Sequence, residues 1–252
     1  MRYMALFLGV TFGWSWGFWL IPGLPASVAS LGGWGPLVGA LVLAWRLGTL
    51  RALLGAGLRW RMGWPVFLIA LLCFPILIGA AFGADLALGA PFIAPESWVA
   101  PATLPIAYLY ILLLAGPLQE EFAWRGTLQP WLEQRISPAW ASLGVGLVWG
   151  VWHLPLFLTP GHGVYYERPF FGLLITTVLI SFIFTYLYRR SAGNILAMMI
   201  LHAGFNFGHF IFPTLQSDRA ALILFALQAL IVIIIMVKWR SEVTKPSRSI
   251  TQ

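Results

Sequence analysis

Charge is scarce in this chain. Only 8 of its 252 residues are Asp or Glu, and charged residues of all kinds make up 9%, against about 25% in ordinary soluble domains. With 60% hydrophobic residues and a mean hydropathy of +0.85, there is too little polar surface to cover a soluble globule. The sequence therefore reads as an all-α, polytopic membrane protein. Cysteine is nearly absent too: Cys73 alone forms neither an internal disulfide nor a Cys-based metal site, and it reads as a small core hydrophobe. No Gly-x-Ser-x-Gly segment supplies a serine nucleophile, and no His-Glu-x-x-His segment marks a helical zinc site. No soluble domain interrupts the chain, and the absence of an internal repeat weighs against an inverted-repeat transporter. The formal charge of +7 is not a nucleic-acid footprint, because the basic residues sit at the ends of apolar runs without forming an aromatic-interleaved patch. The lipid bilayer, not nucleic acid, is the partner this composition implies.

What is present is a series of apolar runs of membrane-spanning length. Eight are expected, at 4–21, 30–46, 64–82, 104–122, 139–158, 170–188, 194–212 and 220–238. With the N-terminus inside, 13 Lys and Arg fall on the inner side and only Arg168 and Arg219 outside. That split follows the positive-inside rule and predicts eight spans with both termini cytoplasmic, in a multi-pass protein of the cell membrane. Residues 1–240 are expected to form one membrane-embedded domain, and 241–252 a polar, basic, disordered tail. The first run is expected to be a retained helix rather than a cleaved signal, with Gly9, Gly13 and Gly17 on one close-packing stripe. The segment from Arg46 to Arg61 suits an amphipathic helix at the inner interface.

Against this background, Glu120, Glu121 and Arg125 are conspicuous, since a charge at the centre of a spanning helix costs about 2.5–3.5 kcal/mol on insertion scales. Glu121 and Arg125 stand at the i, i+4 spacing of a helical ion pair in the favoured order. Glu120, turned about 100° away, is left without a partner on that helix. Two histidines lie in other spans, each sharing a helix face with a residue four positions away: Trp149 with His153, and His202 with Asn206. At about 1.5 Å per residue, Glu120, His153 and His202 lie about 18–22 Å above the inner-surface markers. They can meet in one buried cavity. A buried carboxylate and an imidazole can activate water, while a second imidazole and an amide can steady an oxyanion.

The three segments Glu120-Glu121-x-x-x-Arg125, Trp149-x-x-x-His153 and His202-x-x-x-Asn206, on separate predicted spans and in that order, resemble the motifs of the CAAX prenyl protease and bacteriocin-processing family, also called the Abi family. The resemblance covers about 104–212, the expected protease core. It implies an eight-helix intramembrane endopeptidase that needs no cofactor, in which Glu120 and His153 activate water and His202 and Asn206 form the oxyanion hole. Glu121, Arg125 and Trp149 support that set. The implied substrate is a peptide or membrane protein, lipidated in one branch of the family. The family usually has Phe where this chain has Trp149, which puts substrate choice in question more than chemistry.

Two other readings stay open on the residues alone. Glu120, His153 and His202 would make a His2Glu zinc set, and a non-catalytic binding or scaffold protein would keep the same groups to link helices. His209 reads as a packing residue and His162 as a solvated loop residue. Trp124 is expected to pack against lipid or line an entrance.

Overall fold

The computed structural model describes residues 2–92, 94, 98, 100–162 and 165–243. Among them there are helices and no strands. They run α1 (Arg2–Trp19), α2 (Ala26–Ala29), α3 (Gly35–Arg46), α4 (Leu50–Gly57), α5 (Trp64–Ala87), α6 (Leu104–Leu114), α7 (Pro117–Ala123), α8 (Gln129–Glu133), α9 (Pro138–Trp152), α10 (Leu154–Leu158), α11 (Phe170–Arg190), α12 (Ile195–Ile211) and α13 (Asp218–Val243). Proline punctuates the series: α3, α5, α6, α7, α8, α9 and α10 each carry one in the first turn, where its missing N–H leaves no orphan. Ser137 and Asn194 cap α9 and α12 through their side-chain oxygens.

Among the described residues five segments are long and apolar enough to cross a membrane: Ala26–Arg46, Trp64–Ala87, Pro101–Glu133, Phe170–Arg190 and Asp218–Arg240. Ile195–Ile211 is apolar but shorter. The expected spans 4–21 and 139–158 coincide with α1 and with α9 plus α10, the latter pair meeting at His153. The segment between Arg46 and Arg61 contains the short helix α4. Of the expected tail, 241–243 extend α13 and 244–252 lie outside the described residues.

The helices pair as α1 with α3, α5 with α12 and α9 with α11. The α1–α3 seam corrects the glycine expectation. Space is open around Gly9, Gly13 and Gly17, whereas a methyl at Gly35 or Gly39 would collide with Ser15 and Thr11 of α1. The small residues that allow close approach are therefore on α3. In α5, Pro75 cannot donate to the Leu71 carbonyl one turn back. Gly204 of α12 fits against that carbonyl, where a methyl would lie 3.2 Å away. This contact brings the segment carrying His202 and Asn206 close against α5.

Candidate active site

The span Pro101–Glu133 is not one continuous helix. It breaks at Ala115–Gly116, where Gly116 adopts φ +112°, a conformation that L side chains rarely adopt. The Gln119 side chain accepts from the Gly116 N–H at 3.0 Å, and α7 restarts at Pro117. A π-helical turn, Trp124–Leu128, follows; such turns re-aim side chains by adding a residue to the ladder. The irregularities thus bracket Glu120 and Glu121. Asn206 Nδ2 donates to the Ala115 carbonyl at 3.1 Å, satisfying a group next to the break.

Glu120 Oε2 accepts from two indoles, Trp124 Nε1 at 3.2 Å and Trp149 Nε1. Two expectations are corrected here. Glu120 has a partner on its own helix, and Trp124 is fully buried beside it instead of facing lipid. The spacing that pairs Glu121 with Arg125 also pairs Glu120 with Trp124. Glu120 Oε1 faces Gly116: a methyl there would lie 2.9 Å from Oε1 and 3.4 Å from Asn206 Nδ2, so both polar atoms border one point.

His153 closes the C-terminus of α9, and its Nδ1 lies 2.9 Å from the Trp149 carbonyl. A carbonyl only accepts, so Nδ1 carries the proton and Nε2 is the basic nitrogen. The ring is held edge-on by Trp152 at 4.5 Å and flanked by Tyr165 and Trp19. Glu120 and His153 line the same cavity of about 390 Å³, together with Trp19, Trp34, Tyr110 and Tyr165. That volume falls within the range of about 300–1,000 Å³ for ligand sites. His162, expected to be solvated, is half-buried on this cavity and donates to the Trp19 carbonyl at 3.1 Å. Burial, helped by the Glu120 charge, pushes the Tyr165 phenol up to about 12.

Glu121 belongs to a second, sealed set. Its Oε1 pairs with Arg125 Nη1 at 3.0 Å and with His202 Nδ1 at 2.8 Å. Arg125 also reaches Ser181 at 3.4 Å and stacks over Phe184 at 3.9 Å. Glu121 Oε2 and Arg125 Nε are buried with no hydrogen-bond partner. Trp149 separates the two sets: its N–H meets Glu120, its face lies 4.8 Å under Arg125, and His202 packs edge-on at 5.2 Å. The Trp at this position therefore touches the Glu120 carboxylate itself and is not among the residues lining the cavity.

The structure brings Glu120 and His153 to one cavity, with Asn206 beside Glu120, and places His202 against Glu121. Among the described residues no three His, Cys, Asp or Glu side chains gather at metal-holding spacing. The residues that sequence reasoning missed are Trp124, Gly116 and the aromatic wall of Trp19, Trp152 and Tyr165. Only Trp124 had a readable signal, its four-residue offset from Glu120.

Residues 101–208 match the profile of the type II CAAX prenyl endopeptidase Rce1-like family. The chain is similar to CAAX prenyl protease 2 of Methanococcus maripaludis, with 25% identity over 119 residues. That alignment covers 45% of this chain and 44% of the relative, less than half the relative's length. Every one of Glu120, Glu121, Arg125, His153, His202 and Asn206 falls inside the matched segment. By these residues and this match, the chain is similar over residues 101–208 to the CAAX prenyl protease and bacteriocin-processing family.

Proposed function

We propose that the protein is an intramembrane endopeptidase of the cell membrane, with eight spans and both termini cytoplasmic, that hydrolyses a peptide bond through a glutamate-activated water. The observation that carries this reading is the shared cavity of Glu120 and His153, with Glu120 Oε2 fixed by two indoles. Held at Oε2, the carboxylate has Oε1 left to take a proton from water, while His153 Nε2 accepts a second hydrogen bond from that water.

A carboxylate oxygen accepts from His202 Nδ1–H at Glu121, where Arg125 also pairs. The Asn206 amide, beside Glu120, is the donor that steadies the oxyanion, while His202 holds Glu121 and packs against Trp149 behind it. As water attacks the scissile carbonyl, Glu120 gains a proton and the carbonyl oxygen gains the negative charge, so net charge within the site is unchanged. Glu120 then returns the proton to the departing amine as the C–N bond breaks. No step requires a metal. The substrate is a peptide or membrane protein in contact with lipid. The relative's name raises prenylated C-terminal tails as one substrate class to test.

The test is a proteome-wide comparison of membrane-proximal peptides released by cells expressing wild type or Glu120→Gln. Peptides specific to wild type, persisting in strong chelator, are expected. Identical peptide sets would sink the proteolytic reading.

A further inference from the structure

Among the described residues the bundle has a strongly basic end and an end whose basic residues, Arg168 and Arg219, are matched by Asp85, Glu167 and Asp218, and the cavity of Glu120 opens at the second. Arg2, Arg46, Arg51, Arg135 and Arg190 lie where α1 and α9 begin and α3, α8 and α11 finish, and all are exposed. At the opposite end, Arg219 is neutralised by Asp85 and Arg168 donates to the Leu215 carbonyl at 2.7 Å. The cavity reaches this second end through Ala26, Ser30 and Gly161, which are exposed in the segments following α1 and α10. Its wall also includes Tyr110 and Leu114 of α6, 60% and 55% exposed on the bundle's flank.

Lys and Arg collect on the cytoplasmic side of membrane proteins, so the open end is the non-cytoplasmic one. His153 stands 15 residues from the start of α9 at Pro138, about 22 Å into a hydrocarbon core about 30 Å thick. The reacting groups therefore lie in the outer half of the bilayer. The lining carries no Lys, Arg or Asp, and its ionisable groups are Glu120, two histidines and two tyrosines. Exposed apolar surface on the flank and exposed small residues at the end make the opening face lipid and outer solvent together.

Resting on the endopeptidase reading above, we propose that the substrate is a membrane-anchored polypeptide, apolar around its scissile bond, that enters from the non-cytoplasmic side and is cut in the outer half of the bilayer. A C-terminal tail presented from the cytoplasm does not reach Glu120 along this route.

Two measurements test this separately from catalysis. In full-length protein carrying Cys73→Ala, Ala26→Cys should react with a membrane-impermeant maleimide in intact cells. Arg51→Cys should react only after permeabilisation. The reverse pattern overturns the assigned side whether or not the protein is active. Next, single-span reporters carry one apolar segment placed in the outer or the inner half of the bilayer. Wild type should cut the outer reporter at least tenfold faster than the inner one, and Glu120→Gln should cut neither. Faster cutting of the inner reporter overturns the proposal. If neither is cut while wild type still releases other peptides, the anchored-substrate inference falls alone; if nothing is released, the protease reading falls with it.

Discussion

Glu120 and Glu121 share a peptide bond but lie in unlike surroundings. Around Glu120 the partners are neutral indole N–H groups and one oxygen faces a cavity; around Glu121 they are a guanidinium and an imidazole, and the pocket is closed. The difference follows from the helix repeat of about 100° per residue, which aims neighbours at different parts of the bundle. One carboxylate is held by neutral donors alone, and the other is fixed by a cation. Trp149 keeps them apart.

The strongest way to break this contrast is to neutralise each acid in turn. Glu120→Gln keeps shape and should lower turnover by about 10³-fold or more, within the usual range for a general base, while the melting temperature in detergent stays near that of wild type. An equal loss of stability would place Glu120 in the structural set instead. On the other side, Arg125→Ala leaves Glu121 buried without its cation and should destabilise the fold by about 3–5 kcal/mol, read by denaturant titration in micelles. Unchanged stability would undo the assignment of Glu121 and Arg125 as a structural pair.

These outcomes bear on how far a sequence alone can be read. The helical spacing placed the Glu121–Arg125 pair correctly, and the apolar runs placed the helices. It did not reveal that His202 would join Glu121, because that contact crosses 81 positions and depends on how α7 and α12 pack. Trp149 illustrates the same limit. Its helix face was legible, but which end of the indole meets which carboxylate is decided by the α9–α11 packing and by the break at Gly116. Glycine stripes misled for a related reason: spacing on one helix says nothing about which partner helix must come close.

Smaller changes sharpen the contrast. Trp149→Phe keeps the aromatic wall and removes one N–H from Glu120. A hydrogen bond to a charged group contributes about 1.5–3 kcal/mol, so kcat should fall about 10- to 100-fold with little change in KM. A change in KM alone would return Trp149 to substrate contact. Gly116→Ala, strained by about 1–2 kcal/mol at positive φ and crowding Glu120 Oε1, should slow turnover several-fold, measured beside a thermal melt. The smallest effect is expected at Tyr165. With its phenol pushed up to about 12, it stays protonated over the ordinary range, and its ionisation becomes appreciable only as pH approaches that value. Tyr165→Phe should therefore leave the shape of the pH–rate profile unchanged between about pH 8 and pH 10.

The link between α1 and the site has a consequence for how such a protein can be altered. Ser15 accepts from Trp152 Nε1 at 2.7 Å and donates to the Gly32 carbonyl, while Trp16 Nε1 donates to the Trp152 carbonyl at 3.0 Å. Ser15, Trp16 and Gly32, with Trp19 and Trp34, lie before residue 101, outside the segment matched to the family, whereas Trp152 lies within it. The cavity is thus walled by two stretches of chain: the matched segment supplies Glu120 and His153, and residues before 101 supply Trp19 and Trp34. On the endopeptidase proposal, exchanging residues 15–34 between relatives should change which peptides are released while Glu120 and His153 stay in place.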